Sequence, residues 1–124
     1  MSQKGNIMFA MSCVCGPEAS AEGDRLLASH AAWVEKTHHR SGDLELLSYN
    51  TAKCPEYSNP LDPSSPPTGN MVFTLYEVYK NPAGLGDHWA QAQASWQDFG
   101  AMLAWCGANS GRFIHGPAIE HSLW

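Results

Sequence analysis

The sequence predicts an α+β sandwich of ferredoxin-like βαββαβ order, with a four-stranded antiparallel sheet and two helices on one of its faces. Two strand-helix-strand halves follow one another along 124 residues. Each helical stretch carries a single apolar stripe, and right-handed crossovers place both stripes on the same side of the sheet. A chain of this length forms one domain (1–124) and buries about two thirds of its unfolded surface.

Residues 7 to 15, IMFAMSCVC, are apolar and bounded by Gly5-Asn6 and Gly16-Pro17, the pattern of a buried strand. Between 18 and 40, Leu26, Leu27, His30, Trp33, Val34 and Thr37 recur at three- and four-residue spacing, which predicts a helix closed by the turn Ser41-Gly42-Asp43. Residues 44 to 52, LELLSYNTA, form a second strand whose alternation is blurred at Leu46-Leu47. Five prolines and three serines among residues 55–69 predict a long connector (55–70) outside any sheet ladder. Residues 71 to 80, MVFTLYEVYK, are the clearest strand. Asn81 and Pro82 suit the N-cap and first position of a second helix, in which Leu85, Trp89, Ala92, Trp96, Phe99 and Leu103 keep their spacing as far as Gly107. A last strand, 111 to 124, is interrupted at Gly116-Pro117, where a bulge accommodates the proline.

Both parities of the strand 71–80 carry side chains suited to burial: Phe73, Leu75, Glu77 and Tyr79 on one, Val72, Thr74, Tyr76 and Val78 on the other. Two helices cover one face only. An uncovered apolar sheet predicts a two-fold homodimer stacking sheet on sheet, unless the connector or the C-terminal tail folds back over that face.

The formal charge of -5, with seven scattered Lys and Arg, disfavours nucleic acid and anionic membrane surfaces as partners. No apolar stretch approaches the roughly 20 residues of a membrane span, and the first residues lack a signal-peptide cleavage pattern. These features, with four cysteines in a domain that needs no disulfides, predict a cytoplasmic protein with free thiols.

The run RSGDLELLSY (40 to 49), followed by FTLYEVYKNPAGLGDHW (73 to 89), resembles the antibiotic biosynthesis monooxygenase family of dimeric α+β barrels. Gly42 and Leu44 match that family's turn, Glu77 and Tyr79 its strand ending, Ala83 and Leu85 the start of its second helix, and His88 its histidine. The chain departs from the pattern where a second histidine is common, since Ala94, Ser95 and Trp96 stand there. The resemblance implies a cofactor-independent monooxygenase: a small hydrophobic, enolisable or aromatic molecule is deprotonated in a dry pocket, and its carbanion reduces dioxygen. The alternative is a barrel of the same fold that binds a small ligand without turning it over.

His88 and His30 are the candidate catalytic residues. A helix of ordinary pitch puts His88 beside the Leu85-Trp89-Ala92 stripe, at the border of core and solvent, in the first two turns where the dipole favours neutral imidazole. His30 lies inside the first helix's stripe and must find a hydrogen-bond partner. The other reading makes His88 a boundary histidine bonded to a neighbour such as Asp87 or a backbone carbonyl, and His30 a satisfied core histidine. Tyr79, Glu77, Trp33, Trp89 and Phe73 are the candidate substrate-binding residues, the aromatics as pocket walls and the buried carboxylate with a raised pKa or a partner. His38-His39 suit the negative end of the first helix, and His115 and His121 share a strand parity. Cys13-x-Cys15 is no tetrahedral zinc spacing and no His-Glu-x-x-His is present, so no metal and no cofactor are expected.

Overall fold

A computed structural model describes residues 2–124. The elements are β1 (Ile7–Cys15), α1 (Pro17–Thr37), β2 (Leu46–Tyr57), β3 (Pro67–Tyr79), α2 (Pro82–Ser95), α3 (Phe99–Ala108) and β4 (Arg112–Ala118). The strands form one antiparallel sheet in the order β2-β3-β1-β4. This is the expected ferredoxin-like arrangement, with three helices where two were expected.

β1 alternates strictly, with Ile7, Phe9, Met11, Cys13 and Cys15 buried and the residues between them half-buried. Its register with β3 sets Phe9 opposite Glu77 and Ile7 opposite Tyr79, so one parity of both strands faces the helices. The core forms there, from that parity together with Leu26, Leu27 and Val34 of α1, Leu85 of α2 and Met102, Trp105 and Cys106 of α3.

Three expectations need correction. The proline-rich stretch does enter the ladder at both ends: Pro55 pairs with Met71 and Tyr57 with Pro67, around a register shift. β2 is an edge strand, a position where the sheet tolerates proline. The expected helix over 82–107 is two helices, because Trp96 leaves helical geometry at ψ 108°. At that break Trp96 Nε1 donates to Ser29 Oγ at 3.1 Å, and Ser29 Oγ donates to Asp98 at 2.6 Å. These bonds draw the chain toward α1. Finally, α3 runs through Gly107 to Ala108, and the left-handed turn falls at Ser110, φ 55°.

Two local expectations hold. Gly42 has φ 82° in the turn after α1, and Gly116 has φ 81° where the β1–β4 register shifts. Gly84 is required for another reason: a Cβ there would lie 2.9 Å from the Tyr79 ring and 3.1 Å from the Leu44 carbonyl. The start of α2 can therefore sit directly on the end of β3.

Candidate functional site

The helix-facing parity of β3 ends in Glu77 and Tyr79, both 0% exposed. A carboxylate in such a place demands partners. Tyr79 Oη donates to Glu77 Oε1, while Glu77 Oε2 has no hydrogen bond among the described residues. Burial pushes the Glu77 pKa up to about 7, and the Tyr79 hydrogen bond opposes that shift.

Above this carboxylate α1 brings His30 and α2 brings His88, at 4% and 2% exposure. The two rings lie 5.5 Å apart, centroid to centroid. His88 Nδ1 is 3.7 Å from Glu77 Oε1. The expectation that His88 would sit at a solvent border, with Trp89 in the stripe, is reversed: the buried face of α2 runs Leu85, His88, Ala92, and Trp89 is half-buried. That rotation lets the Trp89 indole N–H reach His115 Nε2 at 2.8 Å.

The proton positions around His88 follow from counting donors. Thr37 Oγ1 donates its only hydrogen to the Trp33 carbonyl at 2.8 Å. It therefore accepts from His38 Nδ1–H, 3.0 Å away. His38 Nε2 is then an acceptor, and the 2.7 Å contact to His88 Nδ1 is a bond donated by His88. His88 Nε2 is left with an unshared pair. Burial brings the His88 pKa down to about 3, with the neighbouring His30 and His38 adding to the effect, so the ring is neutral at neutral pH.

His30 Nδ1 and Tyr49 Oη share a 2.7 Å bond. When the phenol gives the proton, His30 Nε2 carries a hydrogen; when the ring gives it, Nε2 carries a lone pair. Burial, then His38, brings the His30 pKa down to about 3, and burial raises that of Tyr49.

His38 and Tyr49 are the partners that the sequence reading did not find. His38 was expected to serve as a cation at the end of α1. It is instead the C-cap, in extended geometry, with its pKa lowered chiefly by burial. Tyr49 turns inward because β2 carries a bulge: Leu46 pairs with Tyr79, Ser48 with Val78 and Tyr49 with Glu77. The visible signal was the broken alternation at Leu46-Leu47. Both partners line a surface cleft of about 340 Å³ that also holds Glu35 and Arg40, so each buried histidine is one hydrogen bond from solvent.

On the other side, His30 and His88 border an apolar cavity of about 30 Å³ between sheet and helices, walled by Phe9, Trp89, Trp96 and Phe113 among others. Its volume suits one or two waters. A larger molecule has to part the lining side chains, among them Trp96 at the non-helical junction between α2 and α3.

Of the other expected substrate contacts, Trp33 stands at the site, 5.5 Å from His88 and stacked on Trp96 at 5.5 Å. Phe73 does not. It packs against Trp105 and beneath Lys53, and lies four residues from Glu77, about 13 Å along the strand. The shared parity placed it on the right face but too far along. His115 joins the site's margin through Trp89, whereas His121 lies beyond β4.

Compared with known protein families, with curated proteins and with solved structures, the chain finds no match.

Proposed function

We propose that the chain is a cofactor-independent monooxygenase-like enzyme for a small hydrophobic, enolisable or aromatic molecule, with His88 as the proton acceptor. The observation that carries the reading is His88 itself. Its Nε2 has an unshared pair, it borders the apolar cavity, and a buried carboxylate lies 3.7 Å from its Nδ1.

A weak neutral base becomes effective when its protonated form is stabilised in place, and Glu77 as carboxylate supplies that countercharge. In the reaction a CH2 group next to a carbonyl gives one proton to His88. The carbanion gives its electrons to dioxygen, and the carbon-bound peroxide, protonated, loses water to leave a carbonyl. The balance is CH2 + O2 to C=O + H2O, so the substrate supplies every electron and no flavin or haem is needed. With Tyr49 as the donor to Nδ1, His30 carries its hydrogen on Nε2 and would hold the enolate oxygen there, a role that costs no reorganisation in a dry site. The proton leaves through His38 to the surface cleft.

The same proposal includes a homodimer. The sheet face away from the helices presents Met8, Ala10, Val14, Val72, Tyr76 and Ile114, the last 53% exposed. A second copy stacked there would complete a dimeric α+β barrel about 10 Å between sheets. Sedimentation at micromolar concentration should give twice the chain mass, and a monomer would refute this part. We place the protein in the cytoplasm, where its unpaired cysteines stay reduced.

Oxygen uptake tests the catalytic reading, with a panel of anthrone-like and hydroquinone-like compounds as probes. The wild type should consume oxygen, while His88→Ala and His30→Ala should bind the same compound without turnover. Binding without uptake in the wild type would favour a non-catalytic ligand carrier. Equal turnover in both variants would remove the histidines from the mechanism.

A further inference from the structure

We infer that His30, Glu77 and His88 form a binding site for one divalent transition-metal ion of the kind that prefers imidazole and carboxylate donors, such as Zn2+, Co2+ or Fe2+. One donor atom from each of the three lies within 4.8 Å of the other two, and all three residues are buried. Two histidines and one carboxylate are a donor set that such ions take with positions left for water or substrate. The three residues come from α1, β3 and α2, so no local spacing in the sequence announces them; the expectation of no metal rested on local spacings alone.

A second observation points to a ligand independently. Glu77 Oε2 is fully buried with no hydrogen bond among the described residues, which is costly for a carboxylate unless something of opposite charge meets it. A dication is such a partner. Each of the three donors is also held from behind: Glu77 by Tyr79, His88 by His38 and His30 by Tyr49. Partners of this sort orient metal ligands and fix imidazole tautomers. The neighbouring cavity of about 30 Å³ admits the water that would complete the coordination.

The donors must draw in. Metal–ligand distances near 2.1 Å require donor atoms roughly 3.0–3.4 Å apart, so the widest separation has to close by about 1.5 Å. The inference does not rest on the oxygenase reading, but it touches it: the ion takes the His88 lone pair that would accept the proton and needs the His30 tautomer that has no Nε2–H, so a bound ion would silence His88 as a base.

The test reads binding rather than turnover. Chelator-treated, dialysed protein is titrated with Co2+ and Zn2+ by calorimetry and by the visible spectrum of Co2+, alongside thermal melts. The site predicts one ion per chain and a raised melting temperature, both retained in the His115→Ala/His121→Ala double variant. Affinity should fall about tenfold or more in Glu77→Gln, His30→Ala and His88→Ala. Should those variants unfold, the wild type and the double variant still decide the matter. No stabilisation by either ion, or binding lost in the double variant, would overturn the inference.

Discussion

His38 Nε2 accepts a hydrogen bond from His88 Nδ1 at 2.7 Å, across fifty positions of sequence. The bond fixes which nitrogen of His88 carries the proton, and a hydroxyl on α1 fixes His38 in turn. Replacing His38 by Phe keeps a ring in place but leaves a buried N–H without its acceptor. The expected cost is about 1–3 kcal/mol of stability, read by urea denaturation. If His88 is a base, turnover should fall as well, because part of the population then holds the proton on Nε2. Unchanged stability would mean that His38 and His88 do not meet.

Glu77 and Tyr79 form a pair whose members should be worth less than their bond. Glu77→Leu alone strands the buried Tyr79 hydroxyl and should destabilise the fold by roughly 1–3 kcal/mol. Adding Tyr79→Phe removes the stranded hydroxyl, the orphaned Glu77 Oε2 having already gone with the carboxylate, and should recover most of that loss. A double variant no more stable than Glu77→Leu would contradict this. The stable double variant should nonetheless be inactive, since it retains no countercharge for His88.

Stability of the metal-free protein should peak near pH 6.5–7, as the shifts of three groups dictate. His30 and His88 fall from 6.5 to about 3 on folding, so their contribution is complete above pH 6.5 and is lost as pH falls toward 3. Glu77 rises from 4.5 to about 7, so its contribution is present at low pH and is lost as pH rises from 4.5 through 7. Between 4.5 and 6.5 unfolding therefore takes up two protons and releases one. The net slope is about 1.4 kcal/mol lost per pH unit of acidification, and His38 adds to it in the same direction. Urea denaturation across this range gives the slope, and a flat profile would contradict the burial of the histidines.

The fold was legible because its signals are local and repeated. β1 was bounded correctly by its flanking glycines, and Asn81-Pro82 marked the start of α2, although the Asn81 side chain bonds the Asp43 carbonyl rather than capping the helix. The break between α2 and α3 was not legible, since the apolar spacing continues through Trp96 and Phe99. Contacts to Ser29, distant in sequence, decide it. The site divides in the same way. His30, Glu77, Tyr79 and His88 could be named from strand parity and helical stripe. Tyr49 depended on a one-residue bulge that flips every side chain beyond it, and His38 on a C-cap that leaves the helical direction. Phe73 shows the limit of parity, which gives a side chain's face but not its distance along the strand.

The buried site inverts the ordinary titration order, in that two histidines stay neutral where a carboxylic acid is still half protonated. Nuclear magnetic resonance of the imidazole carbons and the glutamate carboxyl carbons through a pH series measures this directly. The expected result is that His30 and His88 show no transition between pH 8 and about 4 while Glu77 titrates near 7. Transitions of both histidines near 6.5, with Glu77 titrating near 4.5, would show that the three groups do not share a buried site.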